Sequence, residues 1–178
     1  MIYRTGSAYD IDAVLVMLEE MHISGRTGAH FHWTQNSLQE ELWQYHFVLA
    51  SQNDVPVNSL SEIKSGQEHI LIEPSRMTQV KSTDIAAFIA YRYLGDQFIE
   101  ISALATANRY LRQNIMFNLM NYLLEAEKPT EIWLEVHEKN QAAIEFYERL
   151  KFVNTGRRPN YYGDRAAALN FVWKLAGL

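Results

Sequence analysis

EIWLEVHEKNQAAIEFYERLKF, residues 131–152, holds the change of period on which the fold turns. Its first six residues alternate: Ile132, Leu134 and Val136 share one face, Trp133 and Glu135 the other, as in a strand. From Asn140 onward the period lengthens. Ala143, Ile144, Tyr147 and Leu150 recur at helical spacing, so a helix is predicted over 140–150. Asn140 stands at the junction, where a side-chain amide caps a helix or binds the amide groups of a ligand. Glu135 falls on the strand face opposite the core side chains, near the strand's end. Tyr147 falls on the apolar face of the helix, where a phenol needs a partner.

Downstream, FVNTGRR (152–158) and ALNFVWKL (168–175) read as strands joined by the aromatic loop PNYYGD. Upstream, residues 110–126 are predicted helical, with Leu111, Ile115, Leu119, Tyr122 and Leu123 on one stripe. IAAFIAYRYL (85–94) and FIEISALATA (98–107) flank GDQ and read as a hairpin. FVLAS (47–51) is a short apolar strand. Before it come two predicted helices, 10–24 with Asp10 as N-cap and 34–45 with Ser37 and Glu40 spaced as a capping box. Residues 53–84 form a polar excursion whose one apolar run is HILIEP. Alternating strands and helices in the second half imply a mixed, partly parallel sheet flanked by helices, an α/β (α+β) fold. The expectation is one domain over 1–178 with a polar insertion at about 53–84.

Composition narrows the function. The 178 residues are 48% hydrophobic and 21% charged, within the range of globular domains. Lys and Arg number 16 against 21 Asp and Glu, a net charge of −5, so nucleic acid is not the expected partner. Cysteine is absent, which removes disulfides, thiolate metal sites and cysteine nucleophiles. No apolar run approaches the roughly 20 residues of a membrane span. MIYRTGSAYDIDAVL lacks the basic-then-apolar order of a signal peptide, so the cytoplasm is the expected compartment. A monomer or homodimer is expected.

LEV, Asn140, AAIEFYERLKF and GRRPNYY (156–162) together resemble the C-terminal half of GNAT-fold N-acetyltransferases, nearest the RimI-like ribosomal-protein alanine N-acetyltransferase branch. The likeness runs from about Ile85 to the C-terminus and is densest from Glu131 to Tyr162. HFHWTQNSL (30–38) resembles the family's first substrate-side loop. The resemblance implies a GNAT fold and transfer of an acetyl group from acetyl-CoA to a primary amine, such as the N-terminal α-amino group of a protein or peptide. It implies that Glu135 is the general base and that Tyr147, twelve positions on, reprotonates the departing CoA thiolate. Asn140 matches a contact to the pantetheine arm. Leu104 and Thr106 match positions whose backbone groups hold the acetyl carbonyl and pantetheine.

The chemistry is consistent with those roles. An amine must be neutral to attack a thioester, and a partly desolvated carboxylate beside it is a suitable acceptor. The oxyanion needs a backbone N–H aimed at it, which a splayed strand supplies. Direct transfer of this kind needs no metal.

One segment departs from the family pattern. The family's pyrophosphate loop, Arg/Gln-x-x-Gly-x-Gly/Ala at a helix N-terminus, corresponds here to Leu111, Arg112, Gln113, Asn114, Ile115 and Met116. Both glycines are replaced. Asn114 is the residue type best suited after glycine to positive φ. Met116 puts a thioether where backbone would approach phosphate, and Arg109 and Arg112 offer compensating charge. Two other readings therefore accompany the first: a GNAT-fold protein that binds without catalysing, and an acetyltransferase for a small-metabolite amine. His22, His30 and His32 show no spacing that completes a metal site. Trp33, Tyr161 and Tyr162 read equally as groove-lining or as packing aromatics.

Overall fold

The computed structural model describes residues 1–6, 10, 13–18, 45–52 and 85–175. Within them, β1 (Ile2–Thr5), β2 (His46–Ser51), β3 (Ile85–Gly95) and β4 (Phe98–Thr106) form successive antiparallel neighbours. A short 3₁₀ turn (Asn108–Tyr110) leads to helix α1 (Ile115–Glu127). Strand β5 (Glu131–His137), helix α2 (Gln141–Arg149), β6 (Val153–Arg158) and β7 (Ala168–Lys174) complete the described elements. The seven strands make one sheet in the order β1-β2-β3-β4-β5-β7-β6. Only β4 and β5 run parallel, which gives the mixed sheet expected from the sequence.

Helix α1 packs against β1, β2, β3 and β4. Its Ile115, Leu119, Met120 and Leu123 are buried. Residues 13–18 are helical and bury Ala13, Val14, Leu15 and Met17 in the same core. Strand β3 is buried from Ile85 through Tyr91 with no in-out alternation, the mark of a strand covered on both faces. None of the helices among the described residues is long and apolar enough to cross a membrane.

Three expectations need correction. Strand β1 has no counterpart in the sequence reading; IYRT gains its partners by pairing with β2, Ile2 opposite Ser51 through Thr5 opposite Val48. The helix predicted from residue 110 begins at Ile115, because Arg112 (φ 61°) and Asn114 (φ 56°) take left-handed backbone that ends any continuous helix upstream. Leu111 therefore lies before the helix, 38% exposed, rather than on its buried stripe. The hairpin closes more tightly than GDQ implies: Gly95 pairs with Phe98, leaving Asp96 and Gln97 as the turn, with Gln97 at φ 61°. Asp10 receives the Arg4 guanidinium through two hydrogen bonds, of 2.8 and 2.6 Å. The helix predicted over 34–45 (except Tyr45), the excursion after residue 52, His22, His30, His32 and Trp33 lie outside the described residues.

Candidate active site

The parallel ladder between β4 and β5 is short. It pairs Phe98 with Glu131, Ile99 with Ile132, Glu100 with Trp133 and Ile101 with Leu134, and there it stops. Strand β4 runs on to Thr106 and β5 to His137, so beyond these pairs the strands part. The register between β3 and β4 explains where. Ala90 faces Ala103 while Tyr91 faces Ile101, so Ser102 is an inserted residue that bends β4 away. Along the diverging edge, β4 backbone groups have no ladder partner on β5. Leu104 and Thr106 lie on this stretch, both partly buried.

Glu135 is the first β5 residue past the split. Its carboxylate is 3.2 Å from an Arg158 guanidinium nitrogen and accepts the Tyr161 hydroxyl proton in a hydrogen bond that pushes that phenol's pKa up. The Arg158 guanidinium also lies over the Tyr161 ring, 4.8 Å from its centroid. Tyr161 and Tyr162 meet edge to face at 5.0 Å. Burial, with the Glu135 charge and Tyr161, pushes Tyr162 up to about 12. Tyr147 is buried among Phe146, Phe152 and Phe171. Burial raises its pKa well above that of a free phenol, and neighbouring Tyr162 adds to the effect. Glu135, Tyr162 and Tyr147 are thus linked electrostatically, although Tyr147 is also a core residue. Asn140 caps α2: its Oδ1 accepts the Ala143 N–H at 3.2 Å.

A second set of residues gathers at the N-terminus of α1. A cleft of about 370 Å³ is lined by Leu111 to Phe117, by Thr106 and by the α2 residues Ala142, Glu145, Phe146 and Arg149. Asn114 is the N-cap, in left-handed conformation and with no side-chain cap bond. No acidic side chain occupies the helix's first turn. First-turn N–H groups lack intrahelical acceptors, and the helix dipole favours an anion there. The amide of Gln113 donates to the Arg109 carbonyl at 3.0 Å, tying the loop to the 3₁₀ turn. Met116 lines the cleft but also packs against the hydrophobic core. Of the two positions where the family pattern has glycine, Asn114 takes left-handed backbone and Met116 lies within α1, while Arg112, outside those positions, is left-handed as well. Asn114→Ala is expected to lower stability by about 1 kcal/mol, because alanine lacks the short polar side chain that makes asparagine tolerant of left-handed backbone, whereas Asn114→Gly holds it. Denaturant melts of the two variants check this.

The family model for the acetyltransferase (GNAT) family matches residues 35–152. The chain belongs to the GNAT acetyltransferase family. Solved GNAT relatives share its fold across nearly its full length. One is the ribosomal-protein-S18-alanine N-acetyltransferase from Escherichia coli, at 20% identity and TM-score 0.68, covering 99% of this chain and 97% of that one. Another is NAA60 from Arabidopsis thaliana in complex with acetyl-CoA, at 15% identity and TM-score 0.65, covering 99% of both. A spermidine N-acetyltransferase chimera from Vibrio cholerae aligns at 12% identity and TM-score 0.65, covering 98% of this chain and 96% of that one. This GNAT domain is therefore an acyltransferase by family.

The GNAT site also contains residues to which sequence reading gave no role. His137 closes β5 and is buried, with Nε2 3.3 Å from both Asp164 oxygens and Nδ1 accepting the Lys139 N–H. Its ring meets that of Tyr162 at a tilt of 31°, the centroids 4.7 Å apart. The Ala166 N–H, with His137 and Lys139, holds the Asp164 carboxyl down at about 2. This network fixes the loop that carries Tyr161 and Tyr162. His137 and Asp164 are 27 residues apart, so only the fold brings them together. The contact of Arg158 with Glu135 likewise joins residues 23 positions apart and is not legible in the sequence.

Proposed function

We propose that this GNAT domain transfers an acetyl group from acetyl-CoA to a primary amine, the N-terminal α-amino group of a protein or peptide. The observation that carries the reading is Glu135 at the point where β4 and β5 part, with Tyr161 and Tyr162 beside it. Acetyl-CoA, when bound, supplies an acetyl group activated as a thioester. The residues at the α1 N-terminus fit its diphosphate: an uncapped helix start, no first-turn acid, and Arg112 and Arg149 on the cleft wall. The β4 edge near Leu104 and Thr106 offers backbone donors to the acyl carbonyl. Glu135 takes a proton from the acceptor ammonium at its carboxylate, and Tyr147 holds a proton at Oη for the leaving thiolate. Tyr161 and Tyr162 give an extended peptide a rigid aromatic wall. The single-domain organisation over 1–178 and a cytoplasmic setting belong to the same proposal.

A second reading, binding without catalysis, draws on two observations. Arg158 already engages the Glu135 carboxylate, and the cofactor loop lacks its glycines. Calorimetric titration with acetyl-CoA and CoA separates the two readings. Micromolar affinity, followed by acetylation within a pool of tetrapeptides bearing free N-termini, is expected. No binding at millimolar cofactor makes the non-catalytic reading the correct one. In the same titration Met116→Gly is expected to leave the affinity unchanged, because the thioether packs on the core, while helix stability falls by roughly 1 kcal/mol. Tighter binding by that variant would show that Met116 obstructs the phosphate.

A further inference from the structure

Arg158 ends β6 and reaches Glu135 across β7, the strand between them. Two contacts hold its guanidinium in place. One nitrogen lies 3.2 Å from a Glu135 carboxylate oxygen, and the group sits over the Tyr161 ring, 4.8 Å from its centroid. The side chain is nonetheless exposed, and a guanidinium has five N–H donors, more than one carboxylate oxygen can use. The neighbouring cations serve the loop instead. Arg157 donates to Glu138, which also accepts the Ala167 N–H, and Lys139 donates to Asp164, which also accepts the Ala166 N–H. Glu100, another acid that acts on Tyr161, is held by Arg92. Arg158 differs from these cations in its partner, the carboxylate assigned to accept the substrate's proton.

The charges of Glu135 and Arg158 cancel. An ammonium arriving at Glu135 meets a fixed guanidinium of its own sign and competes with it for the carboxylate. An acceptor with an acid beside its amine removes both obstacles. Its carboxylate takes the guanidinium while its ammonium takes Glu135, and the four charges alternate in sign. We propose that Arg158 determines specificity, selecting peptides with an acidic side chain at the first or second residue. Consecutive Cα atoms are about 3.8 Å apart, so either position stays within reach of a guanidinium 3.2 Å from the base. The planar fork of an arginine matches a carboxylate with two parallel N–H bonds, which a lysine does not. Because Tyr161 and Glu135 already order the group, binding costs little further freedom. The inference rests on Glu135 as the base of the proposed acetyl transfer.

Tetrapeptides that differ only as Asp against Asn test it, one pair varied at the first residue and one at the second. For the wild-type protein the acidic member of at least one pair is expected to have a KM about tenfold lower, with a smaller difference in kcat. Arg158→Gln should bring that KM ratio close to one. Its melting temperature and acetyl-CoA dissociation constant should match wild type, because the side chain is exposed and lies outside the α1 cleft. Arg158→Lys should keep only part of the preference. A wild-type KM that is equal within both pairs, or lower for the Asn members, overturns the inference. A preference that survives intact in Arg158→Gln overturns it too. The wild-type comparison needs no variant, so it decides even where Arg158→Gln folds poorly. If no tetrapeptide of the pool is acetylated, the proposed function falls and the inference with it. If all four peptides are acetylated with one KM, only the role of Arg158 falls.

Discussion

Glu135→Gln is expected to lower kcat by about 100- to 1,000-fold while the acetyl-CoA dissociation constant stays within about twofold. The substitution keeps the shape of the side chain and removes its ability to take a proton. The cleft proposed for acetyl-CoA is lined by residues 106, 110–117, 142, 145, 146 and 149, and Glu135 is not among them. Loss of the contact with Arg158 has little structural consequence, since Arg158 is 56% exposed and a surface ion pair contributes at most about 1 kcal/mol. Steady-state kinetics on the best tetrapeptide, with calorimetry and a thermal melt, read the three quantities separately. Parallel losses in rate and cofactor affinity would make Glu135 a residue of folding or binding. An undiminished rate would remove it from the chemistry.

Tyr147→Phe is expected to slow turnover by roughly 10- to 100-fold with no loss of stability. The ring packs against Phe146, Phe152 and Phe171, and phenylalanine preserves those contacts. The hydroxyl is the only group removed. Burial holds that hydroxyl in its protonated form far into alkaline pH, the state a proton donor requires. Tyr161 and Tyr162 are shifted the same way, Tyr161 through its hydrogen bond to Glu135 and Tyr162 chiefly through burial. A raised pKa keeps each phenol neutral above the usual value of about 10, so none of the three can produce a falling limb below that pH. The pH dependence of kcat should therefore rise and then stay flat to about pH 10. A fall between pH 8 and 9.5 would assign the acid to another group, and an unchanged rate in Tyr147→Phe would do the same.

The segment 131–152 was legible because its backbone is regular on both sides of one junction. Strand alternation, the Asn140 cap and the helical stripe ending at Leu150 each follow from residue type and spacing. The 111–114 segment was not, because Leu111 falls in register with Ile115 and Leu119 and so reads as helix. What stops the helix is left-handed backbone at Arg112 and Asn114, and arginine gives no signal for it. Strand β1 went unread for a different reason: four residues show too little alternation, and its pairing with β2 is a tertiary contact. Within the site, Glu135 and Tyr147 came through the family resemblance. Arg158, His137 and Asp164 acquire their partners across long stretches of chain.

Among the described residues, the four pairs from Phe98–Glu131 to Ile101–Leu134 are the sheet's only strand-to-strand link between β1–β4 and the β5-β7-β6 group. The seven strands thus form two cooperative blocks joined by a short seam, and fraying there should precede global unfolding. The cleft at the α1 N-terminus draws on Thr106 from one block and on α2 from the other. A ligand lodged in it would act as a clasp, slowing amide exchange in both blocks at once, including at residues it never touches.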